Sequence, residues 1–409
     1  MQFQVNRQRL LNAVQKAEKV VPNHAALPIM TCILIEANED CGELSLHATD
    51  FDASIWYTIG ASETINDASK ETNNEAEGVS HSRLLVNTSG RAVVNAKLLL
   101  GVLTLLKGDT VNIGYINDRA TQIAITDEKS KFSLNCLPPN DYPPIQRPAP
   151  TSAVPLTKLC TLAKKTIPAA ATSDDKPVLQ CVSIQLQQSI ATATDGLKMM
   201  MVRMDKQDSA NCDNLLIPAE KLKLLASISS DADVFDIGVT DRHILFTKQD
   251  MAFAMRRIEG EFIQPLKIIK AVVPKYEATV NAIQMREALS LVQAGITEAL
   301  PINIVLLHGS IRFMTESANH CITHEIDAEV AEPTPPDGFY YKSDGLDKLL
   351  SVLHGRIKIE MDAQGMMLIK TQNEVCFQIP QRKPVITKQK KAGKTPAKTP
   401  KTSTKGKVA

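Results

Sequence analysis

Among the places in the 409-residue chain where a carboxylate stands beside a threonine, three recur at equivalent points: Thr49-Asp50, Thr194-Asp195 and Thr315-Glu316. Paired acids can donate and accept protons, so Asp50, Asp195 and Glu316 are the candidates if the chain is a metal-dependent enzyme that processes nucleic acid. Each pair, however, holds the same place in a longer recurring pattern, and Asp and Thr commonly cap turns. A turn or strand-end role is the favoured reading. His320 and His324 are spaced to share one face of a helix or strand beside Cys321, but no third ligand stands nearby, and two ordinary strand histidines are expected. Ala392-Gly393-Lys394-Thr395 imitates the end of a phosphate loop, yet Lys388 stands where that loop needs its first glycine. No G-x-S-x-G, G-x-G-x-x-G or H-E-x-x-H occurs. The expectation is a chain with no catalytic residue, no metal and no cofactor.

The elements that must position any site repeat three times. The first unit reads as a helix over Val5 to Val21, then Leu27-Pro28-Ile29, a strand Cys32 to Ile35, and a strand ending at Thr49-Asp50. The second reads as a helix over Pro155 to Ile167, then Lys176-Pro177-Val178-Leu179, a strand Val182 to Leu186, and Thr194-Asp195-Gly196. The third reads as a helix over Val280 to Ile296, Leu300-Pro301-Ile302, a strand Ile304 to Leu307, and Thr315-Glu316. Each then supplies a second helix, Asn95 to Leu106, Pro218 to Ile228 and Ser343 to His354, followed by strand pairs. The expected fold is α+β in three like domains: 1–148, with an insertion about 61–82; 149–271; and 272–386. The prolines from Pro138 to Pro155 make a stiff join between the first two, and residues 387–409 form a basic tail unable to bury a core.

Apolar residues at 44% and charged residues at 22% fit an ordinary globular protein. The uncharged apolar stretches are too short to span a bilayer, and the first nine residues lack secretory order, so a cytoplasmic protein with no membrane contact is expected. Eight cysteines without metal-type spacing read as reduced, mostly buried thiols. Residues 382–409 carry ten of the 46 Lys and Arg and no acid, so the net charge of +1 hides an acidic body with a basic tail. Such a body does not grip DNA over its whole surface, and any contact must be local or topological. Only 17 aromatic residues, one of them Trp56, argue against a base-stacking platform.

With the triplication, several stretches resemble the bacterial DNA polymerase III beta subunit family of processivity sliding clamps over roughly residues 1–383. They are Leu27-Pro28-Ile29-Met30, Leu44 to Asp50, Phe132 to Pro138 with Asp141-Tyr142-Pro143, Lys176 to Leu179, Ala193 to Gly196, Arg257 to Phe262, and Asp337 to Phe339 with Leu346 to Leu350. The resemblance implies the DNA-clamp fold and a head-to-tail homodimeric ring, with helices lining the hole and antiparallel sheets outside. It implies a non-enzymatic accessory subunit that encircles double-stranded DNA without reading sequence and tethers the polymerase III catalytic subunit. The clamp loader and other peptide-motif proteins are the further partners. A monomeric scaffold that keeps the pocket without closing is the contrasting non-catalytic reading.

Carried over by position, the DNA-contacting residues are His24, where the family commonly has arginine, Lys97 and Lys176. Ala219-Glu220 replace residues usually basic, and Lys221 and Lys223 are expected to compensate. The implied peptide pocket comprises Leu179, Thr194, Gly196, Leu197, Lys198, Met199, Ile263, Lys267, Ile268, Phe377, Ile379, Pro380, Gln381 and Arg382. Its apolar walls would bury Leu or Phe anchors of an extended peptide, with Lys198, Lys267 and Arg382 at the rim. Leu197 in place of histidine, Ile263 in place of proline, and Ile379 to Lys383 in place of the family's short terminal segment imply altered partner preference. The tail is expected to bind DNA or to mask the pocket.

Overall fold

Asparagine starts three of the seven helices among the described residues. Asn6, Asn95 and Asn281 each turn a strand into a helix, their side chains accepting from the backbone N–H of Arg9, Leu98 and Ile283. The computed structural model describes residues 1–60, 84–116, 120–144, 146–150, 153–173, 176–205, 214–294, 300–317 and 320–384. The expected insertion at 61–82, the tail at 387–409 and Cys212 lie outside them. The helices are α1 (Arg7–Val20), α2 (Ala96–Leu105), α3 (Leu159–Thr166), α4 (Ala219–Ser227), α5 (Pro265–Ala271), α6 (Ala282–Gln293) and α7 (Ser343–Leu350).

The chain divides into two compact units, one formed by Met1–Val272 with Leu368–Gln378 and the other by Val273–Met367 with the chain from Ile379. In the first unit α1 packs on α2 and α3 on α4. Leu10, Leu11, Ala13, Val14 and Ala17 of α1 are buried at helical spacing. A 13-stranded sheet runs from Ala153–Leu156 at one end to Leu85–Thr88 at the other. Within it Met251–Arg256 pairs antiparallel with Ala53–Gly60, Phe253 facing Ile55, so one ladder crosses from the second repeat to the first. A further antiparallel array orders Leu215–Pro218, Cys181–Gln185, Ile190–Thr194, Lys198–Arg203 and Glu374–Gln378. In the second unit α6 packs on α7. A four-stranded sheet there orders Cys321–Asp327, Ser310–Glu316, Pro301–Leu307 and Phe339–Lys342. Tyr276–Asn281 pairs with both Arg356–Met361 and Glu329–Glu332.

Each expected first helix begins later than the sequence pattern suggested. Val5, Pro155 and Val280 lie in short strands, Gln2–Asn6, Ala153–Leu156 and Tyr276–Asn281. The reason is overlap of two periods. Phe3 with Val5, Val154 with Leu156, and Ala278 with Val280 alternate inward as strand residues and also extend the apolar stripe of the helix that follows. The Leu27-Pro28 and Lys176-Pro177 motifs become tight helical turns, Pro28–Thr31 and Pro177–Gln180, with proline at the start where no N–H is required. The two turns match in detail: the thiols of Cys32 and Cys181 each approach the carbonyl of the proline four residues earlier, at 3.7 and 3.4 Å. Burial pushes both thiols up, that of Cys181 to about 11, which makes them poor nucleophiles.

Candidate functional site

The Thr-Asp pairs build one turn twice. In the first repeat Asp50 Oδ1 accepts the N–H groups of Asp52 and Ala53, at 3.0 and 2.6 Å. Thr49 Oγ1 donates to the carbonyl of Ala53 at 3.0 Å and accepts from the N–H of Phe51 at 3.0 Å. In the second, Asp195 Oδ1 accepts from Leu197 and Lys198, both at 2.9 Å, while Thr194 Oγ1 donates to the Lys198 carbonyl at 2.6 Å and accepts from Gly196 at 3.0 Å. The third repeat differs: Ser317 closes the turn with His320, and Glu316 takes no such part among the described contacts. The three acids are therefore not gathered into one centre, and no group of three or more His, Cys, Asp or Glu able to hold a metal occurs among the described residues.

The second Asp195 oxygen holds the Lys198 ammonium, which is only 5% exposed. Burial works against the Asp195 charge. The ammonium and the two turn N–H groups outweigh it and hold the carboxyl below its ordinary value. This corrects the expectation that Lys198 stands at a pocket rim. Thr194 faces Met199, and Met199 faces Phe377, so these three share one face of the sheet, and Lys198, one residue from Met199, falls on the other. Leu179, half-buried, comes within 4.0 Å of where a side chain on Gly196 would begin, and Leu197 beside it is 41% exposed. Ile263 and Ile268 are half-buried and Lys267 is exposed. Ile379, Pro380, Gln381 and Arg382 belong to the second unit, where the Gln381 N–H donates to the Tyr340 carbonyl at 2.6 Å.

The expected basic residues separate into two groups. Lys97, at the start of α2, donates to Asn23 Oδ1 at 2.9 Å, which brings exposed His24 into the same neighbourhood. Lys176 and Lys223 are exposed as well. Lys221 is not available in the expected way, because its ammonium pairs with Asp50, each side chain being 20% exposed. Lys19 is similarly engaged, donating to the Ser227 carbonyl at the end of α4 at 2.6 Å, where the helix dipole favours a cation. Exposed Lys164 on α3 was not singled out by position, although its place among Lys158, Lys164 and Lys165 was the available signal. Taken together, α1 to α4 carry Arg7, Arg9, Lys16, Lys19, Lys97, Lys164, Lys165, Lys221 and Lys223 against only Glu18 and Glu220. This basic excess sits in a chain whose first 381 residues are acidic overall.

Two family models match: the N-terminal domain of the DNA polymerase III beta subunit over residues 1–146 and its central domain over 153–264, together more than half of the chain. The beta sliding clamp of Bacillus subtilis is 27% identical over 296 residues, 71% of this chain and 73% of that protein. The Staphylococcus epidermidis beta sliding clamp is 27% identical over 267 residues, 64% of this chain and 66% of the relative's own length. Among solved structures, the sliding clamp of B. subtilis superposes with a TM-score of 0.81 at 24% identity, covering 94% of this chain and all of that one. The DNA polymerase beta subunit of Streptococcus pyogenes gives 0.79 at 18% identity over 94% of this chain.

Proposed function

We infer the function from one premise: the chain belongs to the DNA polymerase III beta subunit family, as a divergent member with the clamp fold. It acts as a processivity clamp, an accessory subunit to DNA synthesis with no chemistry of its own. The observation that carries this reading is the basic excess on α1 to α4 in an acidic body. A protein that must hold duplex DNA and still slide needs weak, sequence-independent phosphate contacts confined to one lining. His24, Lys97, Lys176, Lys223 and Lys164 supply them, while Lys221 acts mainly through Asp50. The three-domain division at about 148 and 271 and a cytoplasmic location belong to the same reading.

Two chains close head to tail, placing double-stranded DNA in the hole. Two open sheet edges support closure. Lys131–Leu137 meets Gly90–Asn95 only through Val93–Leu137 and Val94–Cys136, so residues 131–135 have no strand on that side among those described. Cys321–Asp327 ends its four-stranded sheet, with exposure alternating along it. Joining these two edges between chains satisfies both and leaves neither of them open to recruit further copies.

The polymerase catalytic subunit, the clamp loader and other peptide-motif proteins dock through the pocket that includes Leu179, Thr194, Met199, Ile263 and Phe377. A polymerase tied to a ring rebinds the primer end before it can diffuse away. The test is light scattering across a dilution series, followed by retention on nicked circular DNA before and after linearisation. A mass near twice 44.7 kDa and loss of the protein from linear ends support the ring. A monomer at every concentration would leave a scaffold that cannot close.

A further inference from the structure

In each of the first two repeats the segment that follows the last strand turns back over one face of the repeat's own sheet. In the first, Leu137 pairs with Val93, and five residues later Tyr142 is 5% exposed against Cys32, Leu34 and Val93, its hydroxyl 3.3 Å from the His47 carbonyl. Pro143, Pro144 and Pro148 carry the cover onward over Thr49, Ser54 and Trp56. In the second, residues 260–267 roof a cavity of about 540 Å³ over Gln185 and Leu216, and a Cβ on Gly260 would stand only 2.6 Å from a methyl of Val178. The third repeat has the same frame. Asn303 faces Met314 on one side and Tyr340 on the other, as Leu34 faces His47 and Val93, and Tyr340 bridges Gln381 as Val93 pairs with Leu137. Among the described residues this face stays open: Pro301, Met314 and Tyr340 are half-buried, and Cys321 and Thr323 are exposed.

We propose that the chain's own extension docks on this face: residues 385–388 fold across the third repeat, with Ile386 seated on Met314 and Tyr340 as Tyr142 is seated in the first. Ile386 stands five residues past Gln381, just as Tyr142 stands five past Leu137. Val385 and Ile386 are also the only large aliphatic residues beyond 384 apart from Val408, so the apolar pair arrives where the open strip is. Charge agrees with the register. Thr49 faces Ser54 beneath Pro144, and the matching pair is Glu316 with Cys321, so Lys388, in the place of Pro144, comes to a carboxylate with no ion pair among the described residues. Edge pairing of Cys321–Asp327 in the proposed ring uses backbone groups and leaves the face itself open. Ile311 and Phe313 are fully buried and α6 packs on these strands, so Met314 looks away from the helix. The seven lysines beyond Lys388 therefore start on the side away from α6, apart from the helix-borne basic residues.

Cys321 is an exposed free thiol on this face, opposite Glu316, so the chain carries its own probe. The experiment introduces Thr387→Cys or, as a control, Thr399→Cys into the full chain, oxidises each in a glutathione buffer at low protein concentration, and maps the disulfides by mass spectrometry of proteolytic fragments. Each substitution lies beyond 384, outside the elements that form the repeats. The expected result is a bond within one chain from position 387 to Cys321, forming about tenfold faster than the bond from position 399. Adding Ile386→Asp should bring the rate at 387 down to that of the control, whereas Ile386→Leu should leave it unchanged. Adding Lys388→Glu should slow it about threefold. Position 387 reacting no faster than 399, or as fast with Ile386→Asp as without it, overturns the proposal. A rate indifferent to Lys388→Glu overturns the contact with Glu316. A bond that joins two chains overturns the assignment of the face to the chain's own extension.

Discussion

The turns at Thr49-Asp50 and Thr194-Asp195 use the same hydrogen bonds for different ends. In the first, the spare Asp50 oxygen reaches Lys221, 171 residues away on α4, and fastens one repeat to the next. In the second, the spare Asp195 oxygen stays local and buries Lys198 beneath the sheet. The third turn residue differs too. Phe51 holds φ at 72° and projects 61% exposed, whereas Gly196 holds φ at 89° and leaves open the space beside Leu179. A left-handed position is natural for glycine and strained for phenylalanine. The same turn thus serves as a tether in the first repeat and, in the second, leaves the bare wall beside Leu179 that the proposed peptide pocket would use.

The largest effect should come from breaking the local pair. Asp195→Ala leaves a buried ammonium unanswered and is expected to lower stability by about 2–3 kcal/mol, read from the urea midpoint. Lys198→Met, which removes the charge as well, should cost much less. If the two variants are equally unstable, the buried charge is not the cause.

Acid should act through the same pair and through Lys165–Glu374. Burial resists the Glu374 charge, but the Lys165 ammonium and the Thr371 hydroxyl prevail and hold its carboxyl below the ordinary value. Both acids are depressed in the fold. Their contribution is therefore complete above an ordinary carboxylate pKa of about 4, and is lost as pH falls through the lowered folded values. Midpoints measured from pH 6 down to pH 2 should fall below about pH 4. Asp195→Asn should flatten that fall.

Gly196→Val tests the open wall. The left-handed backbone should cost about 1–2 kcal/mol, and a side chain against Leu179 should weaken binding of a Leu-Phe peptide about tenfold. Normal peptide affinity in this variant would remove Gly196 from the proposed pocket.

Lys221→Met should cost about 1 kcal/mol and leave the salt dependence of DNA binding nearly unchanged, because its charge is already answered. Lys97→Glu should instead weaken retention and lower the salt slope. The smallest change is expected for Phe51→Gly, a gain of about 0.5 kcal/mol in the thermal midpoint analysis, strain relief being partly offset by a looser unfolded chain.

Much of this was legible in the residues. The repeats, the second helices and the turn role of Asp50 and Asp195 follow from local periods and from the short reach of Asx hydrogen bonds. The first helices started too early because strand and helix stripes coincide at Val5, Pro155 and Val280. Lys198 departs from its expected place because strand alternation sends neighbours to opposite faces, Met199 to one and Lys198 to the other. Lys221 was miscast for another reason: its partner lies 171 residues away, and no local pattern announces a contact at that separation.

The ladder between Met251–Arg256 and Ala53–Gly60 also has a mechanical consequence. A joint made of a few side chains can swivel, but one made of successive backbone hydrogen bonds resists bending along its whole length. Tyr57, reaching Asp250, and Lys19, reaching Ser227, brace it further. The first two repeats accordingly behave as one stiff beam, and in the proposed ring the strain of opening would be delivered to joints other than this one.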